Sequence, residues 1–271
     1  MSANPTLQLA VFDLAGTTVD FGCFSPVLPF VQAFAALDVT VSVAEARAPM
    51  GLSKRDHVAA MLADPAIAQR WSEAQGTLAD DAAVAAVYEV FGPLQLAAAA
   101  DHADLVPGVL SMQAALRARG VRIVTTTGYF RAAAEVVWQA MAETGFEPDL
   151  NLCPDDVAGV GRPAPAMVAY ARTQFGVEQP ERVIKVGDTV HDIAEGLNAG
   201  AWSLGVTHSG SDMGCTVSEL AALDAGERTR RLAAAEARLS AAGAHGVMPS
   251  VADLMPWVET VESWLAAGRR P

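Results

Sequence analysis

Four short runs of apolar and β-branched residues, Leu9–Phe12, Val121–Thr125, Val183–Val186 and Ser203–Val206, each end in a polar or glycine-rich turn. Their apolar character is continuous rather than alternating, which suits strands buried on both faces, the environment of a parallel sheet covered by helices. Helical patterns separate the runs. Pro107-Gly108-Val109 opens one that reaches about Ala118, and Arg119-Gly120 closes it ahead of the second run. This β–α–β alternation predicts an α/β fold, a doubly wound, Rossmann-like parallel sheet. A chain of 271 residues, 52% of them hydrophobic, has the material for such a core.

Between the first run and Pro107 no comparable strand occurs, only helix candidates at Pro29–Leu37, Lys54–Leu62, Ala66–Gln75 and Asp80–Phe91. Residues 22–101 are therefore expected to form an inserted helical cap on a core of residues 1–21 and 102–271, with hinges at Phe21-Gly22 and Asp101–Asp104. The most membrane-like window, Ala82–Ala100, contains Glu89, Gly92, Pro93 and Gln95 and is expected to be a buried alanine-rich helix followed by a turn. Thr216–Ala267 is expected to be helical. Met1–Gln8 shows no basic stretch ahead of a long apolar one, so no secretory signal is expected.

A formal net charge of -13 opposes nonspecific binding to nucleic acid or an anionic membrane, and neither partner is expected. The same charge means that an anionic substrate needs local cations or a metal. Cys23, Cys153 and Cys215 are few, odd in number and widely spaced, which fits neither a disulfide framework nor a structural zinc site. A cytoplasmic location is expected.

In an open parallel sheet, reactive groups collect at the carboxyl ends of the strands. Here those ends offer Asp13, the hydroxyls and amides of Thr125-Thr126-Thr127-Gly128, and the acids of Asp188-Thr189-Val190-His191-Asp192, while Gly161-Arg162-Pro163 brings a cation. Two carboxylates and a main-chain carbonyl make a hard oxygen site suited to Mg²⁺. Position 15, two residues after Asp13, is alanine, so no second acid stands there to protonate an alkoxide leaving group. Lys54 and Lys185 are the only lysines among 18 basic residues, and each asks for its own explanation.

These four elements resemble the four motifs of the haloacid dehalogenase superfamily. Asp13-Leu-Ala-Gly-Thr-Thr-Val-Asp-Phe-Gly-Cys-Phe24, Met50-Gly-Leu-Ser-Lys-Arg-Asp-His-Val58, Thr126-Thr-Gly-Tyr129, Pro154-Asp-Asp-Val157, Gly161-Arg-Pro163 and Ile184-Lys-Val-Gly-Asp-Thr-Val190 further resemble its phosphonatase branch, the phosphonoacetaldehyde hydrolases, from about Leu9 to about residue 255. The first and last of these motifs mark only the superfamily, whereas Ala15 together with Lys54 is selective for the branch. The resemblance implies Asp13 as nucleophile and Lys54 as the Schiff-base lysine. It implies Asp13, the carbonyl of Ala15 and Asp188 as Mg²⁺ ligands, with Asp192 orienting the ligands around the metal. Thr127, Gly128 and Arg162 would hold the phosphoryl oxygens, and Cys23, Met50, His57 and Tyr129 would line the site. It also implies a homodimer joined through the caps, and a place in 2-aminoethylphosphonate breakdown. Leu14, Ser53, Phe130, His191 and a loop one residue longer before Arg162 depart from the branch pattern.

The chemistry fits these residues. A phosphonate must lose carbon, and a bare carbanion is a very poor leaving group; an iminium formed on a lysine accepts the electron pair and releases an enamine instead. For that, Lys54 must be a neutral amine. Ser53 with Asp56 resembles a helix-start cap, placing Lys54 in a first turn where the helix dipole, neighbouring Arg55 and cap closure all disfavour the ammonium. Asp155 and Asp156 are expected in a loop that positions Arg162. Lys185, inside a predicted buried strand, is expected either to ion-pair or to reach the phosphoryl site.

Blander readings exist for every member: a strand-end aspartate capping a turn, a solvated first-turn lysine, a structural histidine, and a cysteine and methionine buried for volume. The set outweighs them because all its members converge on one reaction. The alternatives are a phosphate monoesterase or phosphomutase of the same superfamily, a hydrolase of a different phosphonate aldehyde, and a noncatalytic sensor of a phosphorylated ligand.

Overall fold

The computed structural model describes residues 6–271, so the reading of the extreme N-terminus, at residues 1–5, lies outside the described residues. The chain opens with β1 (Leu9–Asp13), then α1 (Val27–Ala35), α2 (Val43–Arg47), α3 (Lys54–Ala63), α4 (Pro65–Gln75) and α5 (Asp81–Asp101). There follow α6 (Val109–Ala118), β2 (Arg122–Thr126), α7 (Arg131–Glu143), β3 (Leu150–Leu152), α8 (Ala166–Gln174) and β4 (Val183–Gly187). The remainder is α9 (Val190–Asn198), β5 (Trp202–Val206), α10 (Val217–Ala222), α11 (Ala225–Ala241), β6 (Gly246–Met248) and α12 (Leu254–Ala266).

The six strands form one sheet in the order β3-β2-β1-β4-β5-β6, and every pairing is parallel. The expected α/β class is therefore present, and each of the four expected strands lies within a residue of its place. All five residues of β1, β4 and β5 are buried, which is why their sequences are continuous apolar runs. Chain order reverses between β1 and β4, so the crevice between their carboxyl ends is the topological switch point where ligands of such sheets bind.

Helices α1–α5 bury their own apolar cluster, whose buried members all lie between Cys23 and Phe91. Phe30, Phe34 and Phe91 are fully buried there, each worth about 1.5–3 kcal/mol of transfer free energy. The chain leaves the sheet through Asp20–Cys23 and returns alongside: the Asp20 amide donates to the Asp104 carbonyl at 3.0 Å, and Val106 to Thr18 at 2.9 Å. Thus the two crossings share one short ribbon.

Three details differ from expectation. Helix α5 does not stop at Gly92-Pro93 but continues to Asp101, with Pro93 inside it. Pro93 and Glu89 are both exposed, which lowers the cost of the Glu89 carbonyl that proline leaves without a backbone donor. Nor is this helix buried: only 33% of its most apolar stretch is buried, and among the described residues it is the one helix long and apolar enough to cross a membrane by length and composition. Finally, the C-terminal stretch contains strand β6, which at three residues is too short to show periodicity.

Candidate active site

Each functional side chain is delivered by local structure. β1 ends on Asp13, and the chain turns at once: the amides of Thr17, Thr18 and Val19 all donate to the Leu14 carbonyl. Gly16 has φ +88°, and a Cβ there would fall 2.7 Å from Asp188 Oδ2, so only glycine lets this turn close on the second carboxylate. Asp188 follows β4 and is fixed by the Thr17 hydroxyl at 3.0 Å and the Ser211 amide at 2.8 Å. From the helical side, Ser53 caps α3 by accepting from the Asp56 amide, which sets Lys54 in the first turn as expected.

One small cavity at the switch point is bordered by Asp13, Ala15, Thr127, Gly128, Tyr129 and Arg162 from the sheet side. From the helical side it is bordered by Cys23, Met50 and Lys54. His57, Asp188 and Asp192, also expected at the site, stand behind this wall. His57 is fully buried, stacks on Phe30 with ring centroids 3.9 Å apart, and lies with Nε2 2.9 Å from the Ala46 carbonyl. That contact assigns the proton to Nε2 and leaves the Nδ1 lone pair without a partner among the described residues. Burial, then Lys54, holds the His57 pKa well below the usual histidine value.

Lys54 is itself buried, 5% exposed, with Nζ 5.0 Å from the Tyr129 ring centroid and 5.9 Å from that of Phe30. Burial drives its pKa down to about 8. Arg162 adds to the fall, while Cys23, Asp13 and Asp20 oppose it. Arg55, one of the expected contributors, is exposed, and the largest cationic contribution comes from Arg162.

Beneath the cavity lies a buried charge network. Arg162 donates from Nη2 to Asp13 and to Thr126 Oγ1, at 3.1 Å for the latter, and from Nε to Glu195 Oε2 at 3.2 Å. Asp192 Oδ1 lies 3.1 Å from Arg162 Nη1 and 3.0 Å from Lys185 Nζ, so Asp192 is counterion to two cations. Lys185 also reaches Glu195 Oε2 at 2.9 Å and Thr126 Oγ1 at 2.8 Å. Sequence reasoning missed Glu195 and, while it offered the Thr126 hydroxyl at the strand end, gave it no place in this network. The signal was present: two acids three residues apart on α9, hence on one face, opposite a lysine in a buried strand. Asp155 and Asp156 do not position Arg162. They accept instead from the amide and guanidinium of Arg131, fixing the start of α7.

Asp13, Asp188 and Asp192 each offer a carboxylate oxygen within 4.8 Å of the others. Burial, with added repulsion from neighbouring carboxylates, raises the pKa of Asp13 and Asp188. Burial pushes Asp192 the same way, but Arg162 and Lys185 outweigh it and its pKa falls. The Ala15 carbonyl, bordering the same cavity, accepts no hydrogen bond among the described residues. An oxygen-only donor set with uncompensated negative charge suits a hard divalent cation.

The two sides meet at a tight seam. The Lys54 amide donates to the Gly128 carbonyl at 3.1 Å, and a Cβ on Gly128 would stand 2.3 Å from the Leu52 carbonyl oxygen. Gly128→Ala is therefore expected to prop the seam open, rehydrate Lys54 and return its pKa toward 10.4. Following the pH dependence of Lys54 labelling by a neutral amine-reactive reagent in both proteins checks this; an unchanged midpoint would refute it.

The model of the haloacid dehalogenase-like hydrolases matches residues 7–200 of the chain. A phosphonoacetaldehyde hydrolase of Paraburkholderia xenovorans is 43% identical over 265 residues, covering 98% of this chain and 99% of the relative. One from Aeromonas hydrophila is 43% identical over 274 residues, covering 100% and 98%. A crystal structure of a phosphonoacetaldehyde hydrolase-like protein from Oleispira antarctica superposes with a TM-score of 0.96 at 35% identity, covering 99% of this chain and 97% of that one. The chain thus belongs to the haloacid dehalogenase-like hydrolases, within the phosphonoacetaldehyde hydrolase family.

Proposed function

We propose that this hydrolase cleaves the C–P bond of phosphonoacetaldehyde, using one water to give acetaldehyde and phosphate. The observation that carries the reading is a buried, pKa-depressed amine, Lys54, bordering the same cavity as Asp13, with the methyl of Ala15 where ester chemistry would need an acid. Neutral Lys54 adds to the aldehyde carbonyl and loses water to give the iminium. Asp13 attacks phosphorus, the C–P electron pair flows into the iminium, and an enamine departs. Water then releases phosphate from Asp13; protonation of the enamine carbon and hydrolysis of the imine release acetaldehyde and restore Lys54. Arg162, already bonded to Asp13, would offset charge on the phosphoryl oxygens together with Thr127 and the Gly128 amide. Cys23, Met50 and Tyr129 exclude water around the imine, and His57, neutral and stacked on Phe30 behind this wall, supports it.

Asp13, the Ala15 carbonyl and Asp188 would hold Mg²⁺, which would supply positive charge and polarise a phosphoryl oxygen; Asp192 would orient this group through Arg162. We assign residues 1–21 and 102–271 to the core and 22–101 to the cap, a division supported by the separate apolar cluster of the helical segment. The exposed apolar stripe of α5 supports a homodimer through the caps. Three unpaired, buried cysteines support a reducing, cytoplasmic setting. Supply of the aldehyde from 2-aminoethylphosphonate by a transaminase completes the reading.

Phosphate release from phosphonoacetaldehyde, measured beside p-nitrophenyl phosphate, tests the proposal. The phosphonate is expected to be turned over and the ester to be a poor substrate; the reverse preference would favour a phosphatase. The profile of kcat/KM should rise with pH to a plateau above about 8, because Lys54 acts as the free amine and its pKa is lowered to about 8. That depression from 10.5 enlarges the neutral fraction at pH 7 by about 300-fold. A flat profile between pH 6.5 and 8.5 would contradict the assigned nucleophile.

A further inference from the structure

The catalytic cavity measures about 20 Å³ with the seam closed, room for about one water and too little for a phosphonoaldehyde. A second cavity, of about 190 Å³, lies at the same seam and shares Lys54, Gly128 and Tyr129 with the first. Its outer wall is formed by Arg55, Tyr88, Phe130 and Asp155. Arg47, Arg131 and Arg162 each spend their guanidinium on protein partners. Arg55, exposed at this wall, has no hydrogen-bond or ion-pair partner among the described residues. The opposing acid is Asp155, one of whose oxygens accepts from the Arg131 amide at 2.9 Å.

Resting on the phosphonatase reading above, we propose that this second cavity is the vestibule through which substrate reaches Lys54, with Arg55 holding the phosphonate dianion there. A chain of net charge -13 repels a dianion at long range, so an unpaired cation beside the reactive amine raises the local concentration of an anionic aldehyde over a neutral one. Arg55 acts before chemistry, on encounter; it borders the second cavity and not the first.

Reductive trapping with cyanoborohydride tests this on the full-length protein, reading adduct on the Lys54 peptide by mass. Two aldehydes are compared, neutral acetaldehyde and anionic phosphonoacetaldehyde. Arg55→Gln is expected to slow trapping by the anionic aldehyde about tenfold while acetaldehyde reacts as in the parent protein, and Arg55→Lys to recover most of the loss. The anionic reaction should also weaken with added salt in the parent and lose that dependence in Arg55→Gln. Equal slowing with both aldehydes, or identical salt dependence in parent and variant, overturns the vestibule. Absence of a Lys54 adduct from either aldehyde instead overturns the Schiff-base reading beneath it.

Discussion

Lys54→Arg is expected to fold as the parent does and to lose at least about 10³-fold in phosphate release from phosphonoacetaldehyde, because a guanidinium cannot condense to an iminium at neutral pH. The substitution keeps a cation over the Tyr129 and Phe30 rings and preserves the Ser53 cap, so the fold is expected to persist despite the cost of burying a bulkier, permanently charged group, which circular dichroism and melting check. What disappears is the electron sink. Asp13 would still face phosphorus with Arg162 at its side, yet the C–P bond would have to release a carbanion. Borohydride treatment with substrate should leave a two-carbon adduct on the Lys54 peptide of the parent and none on the variant. Turnover at the parent rate, or an adduct confined to Lys185, would end the assignment.

How much of this was legible in the sequence depends on whether the information is local. Asp13 and Asp188 stand in short motifs at the ends of adjacent strands, which parallel-sheet topology brings together, and Arg162 stands in a short Gly-Arg-Pro loop motif. Lys54 was legible because it is one of only two lysines and stands in the motif of residues 50–58 that pairs with Ala15, while the Ser53-to-Asp56 cap fixes its turn. Long-range pairing was not. The i, i+3 spacing of Asp192 and Glu195 puts both acids on one face of α9, but which cations they share depends on the packing of that helix over β4. Asp155 and Asp156 were misplaced for the same reason: their partner, Arg131, precedes them by more than twenty residues. The exposure of α5 escaped because an apolar helix looks alike whether its partner is the same chain's core or another surface.

Lys185 was the other lysine needing an explanation, and its surroundings make it a structural cation. It sits in the middle of β4, between Val11 of β1 and Ser203 of β5, fully buried, with Asp192, Glu195 and Thr126 around its ammonium. Lys185→Met keeps the length and volume of the side chain but leaves Asp192 and Glu195 to Arg162 alone. Removing one partner from a buried ion-pair network costs about 3–5 kcal/mol, because the remaining charge is uncompensated in a medium of low dielectric. The variant should melt roughly 10 °C lower. Adding Glu195→Leu removes one stranded carboxylate, so the double variant should regain part of the loss, a non-additivity that a purely packing role for Lys185 would not produce. In both variants, borohydride should still label Lys54. A Lys185→Met protein as stable as the parent yet inactive would instead move Lys185 from the foundation of the site into its chemistry.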